Sequence, residues 1–176
     1  KLRWSYAVSK MIDEFIALSL YEEKKVSPII VRLFNIIGPN QLSKFGMVVP
    51  KFIEAAINDE DILIHGDGSQ SRSFTWVDDV VAYLIKLAEL KAYGEIFNIG
   101  QTKEITIKEL AELIIEKSNS NSKIIYKSHE EIFGTSFEDP NRRTPGIEKI
   151  VKFTGIKPSE NIEFMLENII NHKKNN

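Results

Sequence analysis

Ile29-Ile30-Val31-Arg32-Leu33-Phe34-Asn35-Ile36-Ile37-Gly38-Pro39 is the stretch on which the fold turns. Ile29 to Phe34 is short and almost continuously apolar, the pattern of a mostly buried strand, and Gly38-Pro39 ends it. On its N-terminal side, residues from about Tyr6 to Lys25 read as a helix. Met11, Ile12, Phe15 and Ile16 recur there at helical spacing, and Val26-Ser27-Pro28 breaks the pattern. On its C-terminal side, Asn40 to Gly46 is a polar loop. Met47 to Asn58 is then helical, with Pro50 in the first turn, where a missing N–H costs little.

The alternation continues downstream. Asp61 to His65 reads as a strand, Gly66-Asp67-Gly68-Ser69 as a turn, and Ser73 to Val77 as a short extended segment. Asp78 is placed to cap a helix from Asp79 to Leu90. Glu95 to Ile99 is another strand. Thr106 and Glu109 have capping-box spacing and open a helix through Lys117. Ser118 to Ser122 is a polar linker and Lys123 to Lys127 a strand. Ser128 to Pro145 reads as irregular. A short helix spans Ile147 to Phe153, and Ser159 is placed to cap a last helix to about Asn171. Strands alternating with helices indicate an α/β fold. The first half of a doubly wound sheet is not in this pattern, and no G-x-G-x-x-G follows an opening strand.

Composition narrows the function. The 176 residues are 43% hydrophobic, enough to build a core and exclude wholesale disorder. A net charge of −2 leaves no basic excess for nucleic acid. Without cysteine there is no disulfide, thiol nucleophile or cysteine-based zinc site, and three scattered histidines suggest no metal cage. No apolar run approaches the ~20 residues of a membrane span, and no signal peptide opens the chain. The expectation is a soluble, cytoplasmic protein with no nucleic-acid, membrane or metal partner.

Tyr6 and Lys10 are four residues apart, so on a helix they share a face. A phenol titrates near ~10, too high for a base at neutral pH. A nearby ammonium favours the phenolate, and the pair can then exchange a proton with an alcohol or ketone. The alternative is an ordinary exposed tyrosine and lysine.

Trp4-Ser5-Tyr6-Ala7-Val8-Ser9-Lys10, then Val31 to Pro39, Gly46-Met47-Val48-Val49-Pro50, His65 to Asp79, Glu95 to Gly100 and Asp139-Pro140-Asn141-Arg142-Arg143-Thr144-Pro145 form an ordered series. In order and spacing it resembles the extended short-chain dehydrogenase/reductase family. More narrowly, it resembles that family's NAD-dependent nucleotide-sugar epimerases, dehydratases and decarboxylases.

The resemblance implies the C-terminal part of a Rossmann-like fold plus a small α/β substrate-binding lobe, with the N-terminal dinucleotide-binding half lying elsewhere. Residues 1–40 would supply the catalytic helix and the following strand of the Rossmann sheet. Residues 41–176 would mainly form the nucleotide-sugar lobe, with 70–100 returning to the sheet. The implied cofactor is NAD and the implied ligand a UDP-sugar or other nucleotide-diphosphate sugar.

Tyr6 is by resemblance the acid/base, and Lys10 binds the nicotinamide ribose and lowers the phenol's pKa. Asn35 sits in the family's R-x-x-N-x-x-G-P pattern, where the asparagine binds the diphosphate. Arg72 matches an arginine that pairs with the pyrophosphate. Arg143 matches a second arginine of that clamp, with Arg142 taking the role if the register slips by one. Val48 and Val49 match a stretch whose backbone holds the nucleotide, and Leu63 and His65 a strand that flanks the base. For Leu63, Val48 and Val49, core packing is the alternative. The family's Ser/Thr catalytic partner and the dehydratases' Asp-Glu pair would lie upstream. Gly146 departs from the family's aspartate, and Thr154-Gly155-Ile156 from its L-G-W.

The expected activity is a UDP-sugar 4-epimerase working through a 4-keto sugar. A UDP-glucuronate decarboxylase and a 4,6-dehydratase are the alternatives within the family, and a non-catalytic nucleotide-sugar-binding remnant the alternative outside it. Leu18 and Leu20, off the main stripe of the first helix, suit the helix-bundle homodimer common in the family.

Overall fold

The computed structural model describes residues 4–43, 47–128 and 142–175. Gly46 and Asp139-Pro140-Asn141, which carry part of the motif series, lie outside the described residues. The fold is mixed α/β. Helix α1 spans Trp4–Glu22 and is followed by strands β1 (Ile30–Leu33) and β2 (Ile36–Ile37). Then come α2 (Val48–Ile57), β3 (Ile62–His65), β4 (Ser71–Ser73), β5 (Thr75–Trp76) and α3 (Val77–Glu89). The remainder is β6 (Ile96–Ile99), β7 (Glu104–Thr106), α4 (Ile107–Ser118), β8 (Ile124–Lys127) and β9 (Arg142–Arg143). Two helices close the chain, α5 (Glu148–Thr154) and α6 (Ile162–Lys174).

Strand β1 pairs in parallel with β6, Ile30 opposite Ile96 and Leu33 opposite Ile99. Strand β2 pairs in parallel with β5. The break between β1 and β2 is Asn35, whose φ of 40° is left-handed, a conformation asparagine tolerates better than most residues. Strand β3 pairs in parallel with β8. Strand β4 is the centre of a three-stranded sheet, antiparallel to β7 and parallel to β9.

Two clusters of buried side chains hold these pieces. One packs Phe52 and Ile53 of α2, Ile62 and Ile64 of β3, Leu110 and Ile114 of α4, and Leu166 and Ile170 of α6. The other packs Tyr83 and Leu87 of α3 against Phe97 and Ile99 of β6 and Ile150 of α5. The capping box expected at Thr106 is present: its Oγ1 accepts from the Glu109 N–H, and Glu109 accepts from the Thr106 N–H.

Several local expectations are corrected. Asp78 does not cap α3; it lies inside the first turn and accepts from the Trp76 indole at 2.9 Å, while Trp76 is the cap residue. Helix α6 is capped by Asn161, whose side chain accepts from the Phe164 N–H, and not by Ser159. Ser159 instead donates its backbone N–H to Asp79 at 2.7 Å. The stretch around Arg142 is not wholly irregular, because β9 forms there. The apolar stripe of α1 is not in a core of this chain: no α1 residue is buried, and Phe15 is 66% exposed. Leu18 and Leu20, with Glu14 and Ala17, are half-covered by the chain itself.

Candidate active site

Tyr6 and Lys10, the pair expected from sequence as acid/base, stand on α1. Tyr6 is 71% exposed, and Lys10 Nζ lies 6.0 Å from its ring centroid, so the two share the face that their spacing predicts. Lys10 also donates to Asp13 at 2.7 Å, and that bond, with the aspartate's charge, raises the lysine above its ordinary value. An ammonium is therefore kept beside the phenol at neutral pH. Helix α1 is tied to β1 by a two-pronged ion pair. Arg32 Nε donates to Glu14 Oε1 at 2.7 Å and its second nitrogen to Oε2 at 2.6 Å. Tyr6 lies eight residues from Glu14, about 12 Å along a helix.

Asn35 follows Arg32 by three residues. Its side-chain amide donates to the Ser73 carbonyl at 2.9 Å and its own carbonyl accepts from the Thr75 N–H at 3.1 Å. These bonds place Asn35 against the end of β4. An amide carries two N–H donors, so one remains for a ligand. Arg72 precedes Ser73 on β4, and in the parallel ladder with β9 its partner is Arg143. Two cationic side chains thus stand side by side on one face of the sheet, next to Asn35. Arg142 lies on the opposite face, where its Nε donates to Glu104 at 2.7 Å.

Leu63 and His65 sit on β3, with Ile125 and Lys127 as register partners on β8. Leu63 is exposed while Ile62 and Ile64 are fully buried, so the core reading fails for Leu63. The Gly66 to Gln70 turn joins His65 to β4, and Gln70 donates to the His65 carbonyl at 2.9 Å. Val48 is half-buried and opens α2, while Val49 is buried in the core. The Val49 side chain is packing, leaving only its backbone for a nucleotide.

The structure thus brings Asn35, Arg72 and Arg143 together and sets Leu63 and His65 one turn away. Tyr6 and Lys10 stand on a separate element fastened through β1. A cavity of about 470 Å³ lies elsewhere, between α4 and the start of α6. Glu104, Glu109, Glu112, Glu116 and Glu163 line it, so it does not suit an anionic nucleotide, and it contains none of the catalytic or ligand-binding residues expected from sequence. Among the described residues no group of His, Asp or Glu could hold a metal ion, and no helix is long and apolar enough to cross a membrane. Sequence reasoning missed Glu104, whose only local signal is a carboxylate just before a capping box.

A family model described as the NAD dependent epimerase/dehydratase family matches residues 1–100. The chain belongs to that family. Among relatives of the epimerase/dehydratase family, a UDP-N-acetyl-alpha-D-glucosaminuronate decarboxylase from Bacillus cytotoxicus is 37% identical over 171 residues, 97% of this chain and 53% of that protein. An epimerase from Methanothermobacter thermautotrophicus has the same fold, with a TM-score of 0.86 at 25% identity, over 97% of this chain and 50% of the other. A UDP-glucose 4-epimerase from Thermotoga maritima, solved with UDP-glucose, gives 0.85 at 26% identity over 97% and 53%. The chain therefore spans about half the length of these proteins.

The epimerase/dehydratase family is NAD dependent. Tyr6 and Lys10 are both exposed, one helical turn apart, and offer a hydroxyl and an ammonium donor, groups able to bond the hydroxyls of such a cofactor. Among the described residues no glycine-rich turn joins a strand to a helix N-terminus, the arrangement that holds a dinucleotide's pyrophosphate. The Gly66-Asp67-Gly68 turn leads into strand β4 and not into a helix N-terminus.

Proposed function

We propose that this chain is the acid/base and substrate-holding part of an enzyme that oxidises a UDP-sugar at C4, and that its substrate is a UDP-uronate which it decarboxylates. The observation that carries the reading is the Arg72–Arg143 register pair beside Asn35. A guanidinium fork matches phosphate geometry, and a diphosphate would neutralise two adjacent cations. Leu63 and His65 would flank the base, and backbone near Val48 and Val49 would hold the nucleotide.

Tyr6 would take the proton of the sugar O4 and return it, with Lys10 favouring its phenolate. Bound NAD would supply reversible hydride removal at C4, giving a 4-ketone which in a uronate is β to the carboxylate and so promotes loss of CO2. The 37% identity to a glucosaminuronate decarboxylase supports decarboxylation over the 4-epimerase expected from sequence. The likeness to a UDP-glucose 4-epimerase supports 4-epimerisation as a second reading. The exposed face of α1 supports a homodimer in the full-length protein.

The test is turnover of UDP-glucuronate, UDP-N-acetylglucosaminuronate and UDP-glucose by the full-length protein with NAD, followed by mass spectrometry and by proton NMR, which separates the C4 epimers. A product lighter by CO2 is expected, with Tyr6→Phe slowing turnover by about 10²-fold or more. Epimerised uronate as the product would favour the second reading. Recovery of unchanged uronates and unchanged UDP-glucose would contradict both.

A further inference from the structure

The arginine pair depends on how β9 is held, and β9 is only two residues long. Its ladder sets Arg142 opposite Ser71 and Arg143 opposite Arg72. Side chains alternate faces along a strand, so Arg142 shares a face with Ser71, and Arg143 shares the other with Arg72. From the far side of β4, the antiparallel β7 sets Glu104 opposite Ser73 and Ile105 opposite Arg72. Glu104 therefore stands on the Arg142 face. Its carboxylate spans β4: Oε1 accepts from Ser71 Oγ at 2.6 Å and Oε2 from Arg142 Nε at 2.7 Å. One side chain thus joins three strands. The Ser71 bond first, then Arg142, holds this carboxyl below its usual range, so it is ionised at neutral pH.

We infer that Glu104 is a positioning residue for the diphosphate. By fixing Arg142 on one face of β9 it fixes the register that presents Arg143 beside Arg72 on the other. The inference rests on the nucleotide-sugar reading above. Magnitudes separate it from a role in global stability. The Arg142 side chain is 73% exposed, and exposed ion pairs contribute little to folding. Register is different, because a one-residue slip moves every side chain of a strand to the other face. Such a slip of β9 would carry Arg143 away from Arg72. Like charges set directly opposite each other also repel. Repulsion between Arg72 and Arg143 works against this register, and the Glu104 tie opposes it from behind.

The test is calorimetric titration of UDP into the full-length protein in a double-mutant cycle. Glu104→Ala is expected to weaken UDP binding about tenfold, and Arg142→Ala to do the same. Glu104→Gln, whose amide oxygen can still accept from Arg142 while its NH2 turns to donate to the Ser71 hydroxyl, lacks the charge and should fall between Glu104→Ala and the unaltered protein, and it carries the test if Glu104→Ala does not fold. In an Arg143→Ala background, Glu104→Ala or Glu104→Gln should add no further loss. Undiminished UDP binding by the Glu104 variants, with Arg143→Ala weakened, would overturn the inference alone. An equal further loss in the Arg143→Ala background would also overturn it, since Glu104 would not then act through Arg143. Undiminished binding by Arg143→Ala would overturn the nucleotide-sugar reading and the inference with it.

Discussion

Asn35 does two things at once. It turns the chain between β1 and β2 in a left-handed conformation, and it stitches that turn to β4 and β5 through its amide and carbonyl. Asn35→Ala loses the amide bond and strains the backbone, and should destabilise the protein by about 1–2 kcal/mol. Asn35→Gly loses the same bond but relieves the strain. Urea unfolding should therefore rank Gly above Ala at this site; the reverse order would show that the backbone conformation is not what matters. Tyr83 gives a pH test. It is fully buried and donates to the Ile156 carbonyl at 3.0 Å, and burial pushes its phenol up to about 12. A raised folded-state pKa means stability that is intact below about 10 and falls as pH rises toward about 12. Tyr83→Phe should be less stable at pH 8 and show a shallower loss in unfolding measurements between pH 10 and 12; an unchanged slope would contradict the assignment. At this scale the sequence could propose Arg72, Arg143 and Asn35, because each sits in a local motif. It could not show the tie that holds Arg142, because its partner, Glu104, is 38 residues away.

The elements that were legible are those with a local cause. Helix α4 announces itself through the Thr106–Glu109 capping box, and β1 through its apolar run. Strands β7 and β9 were missed, because two or three residues carry no periodicity and their hydrogen bonds go to β4, far away in the chain. Asp78 was misread for a related reason: the spacing suits a cap, but the Trp76 indole claims the carboxylate. Helix α1 is amphipathic by sequence, and its stripe of Met11, Ile12, Phe15 and Ile16 remains exposed in this chain. Its ties to the rest include the Arg32–Glu14 fork and Tyr21. The Tyr21 ring fills the space a side chain would need at Gly94, which also has a positive φ of 75°. Exposed apolar residues in such a cluster mark a covered surface. Light scattering of the full-length protein should give a dimer, and Phe15→Asp with Ile16→Asp should shift it toward monomer; a monomeric unaltered protein at micromolar concentration would contradict the proposal.

For the molecule as a whole, two cores carry two parts of one proposed task. The α3–β6–α5 core sits behind β1, onto which Arg32 fastens the acid/base helix. The α2–β3–α4–α6 core supports the strands that lead to the arginine pair. Asn35, between β1 and β2 and bonded to β4, lies where the two meet. The alternation of helices and strands made the α/β class readable from sequence, whereas the joining of the two parts came from pairings between remote short strands. The central claim is that Arg72 and Arg143 act together on one diphosphate. The most direct measurement is calorimetry of UDP with the full-length protein, Arg72→Ala, Arg143→Ala and the double variant. Each single substitution is expected to weaken binding by about 10- to 100-fold, with the double variant losing less than the product of the two. UDP binding that is unchanged in both single variants would contradict the account.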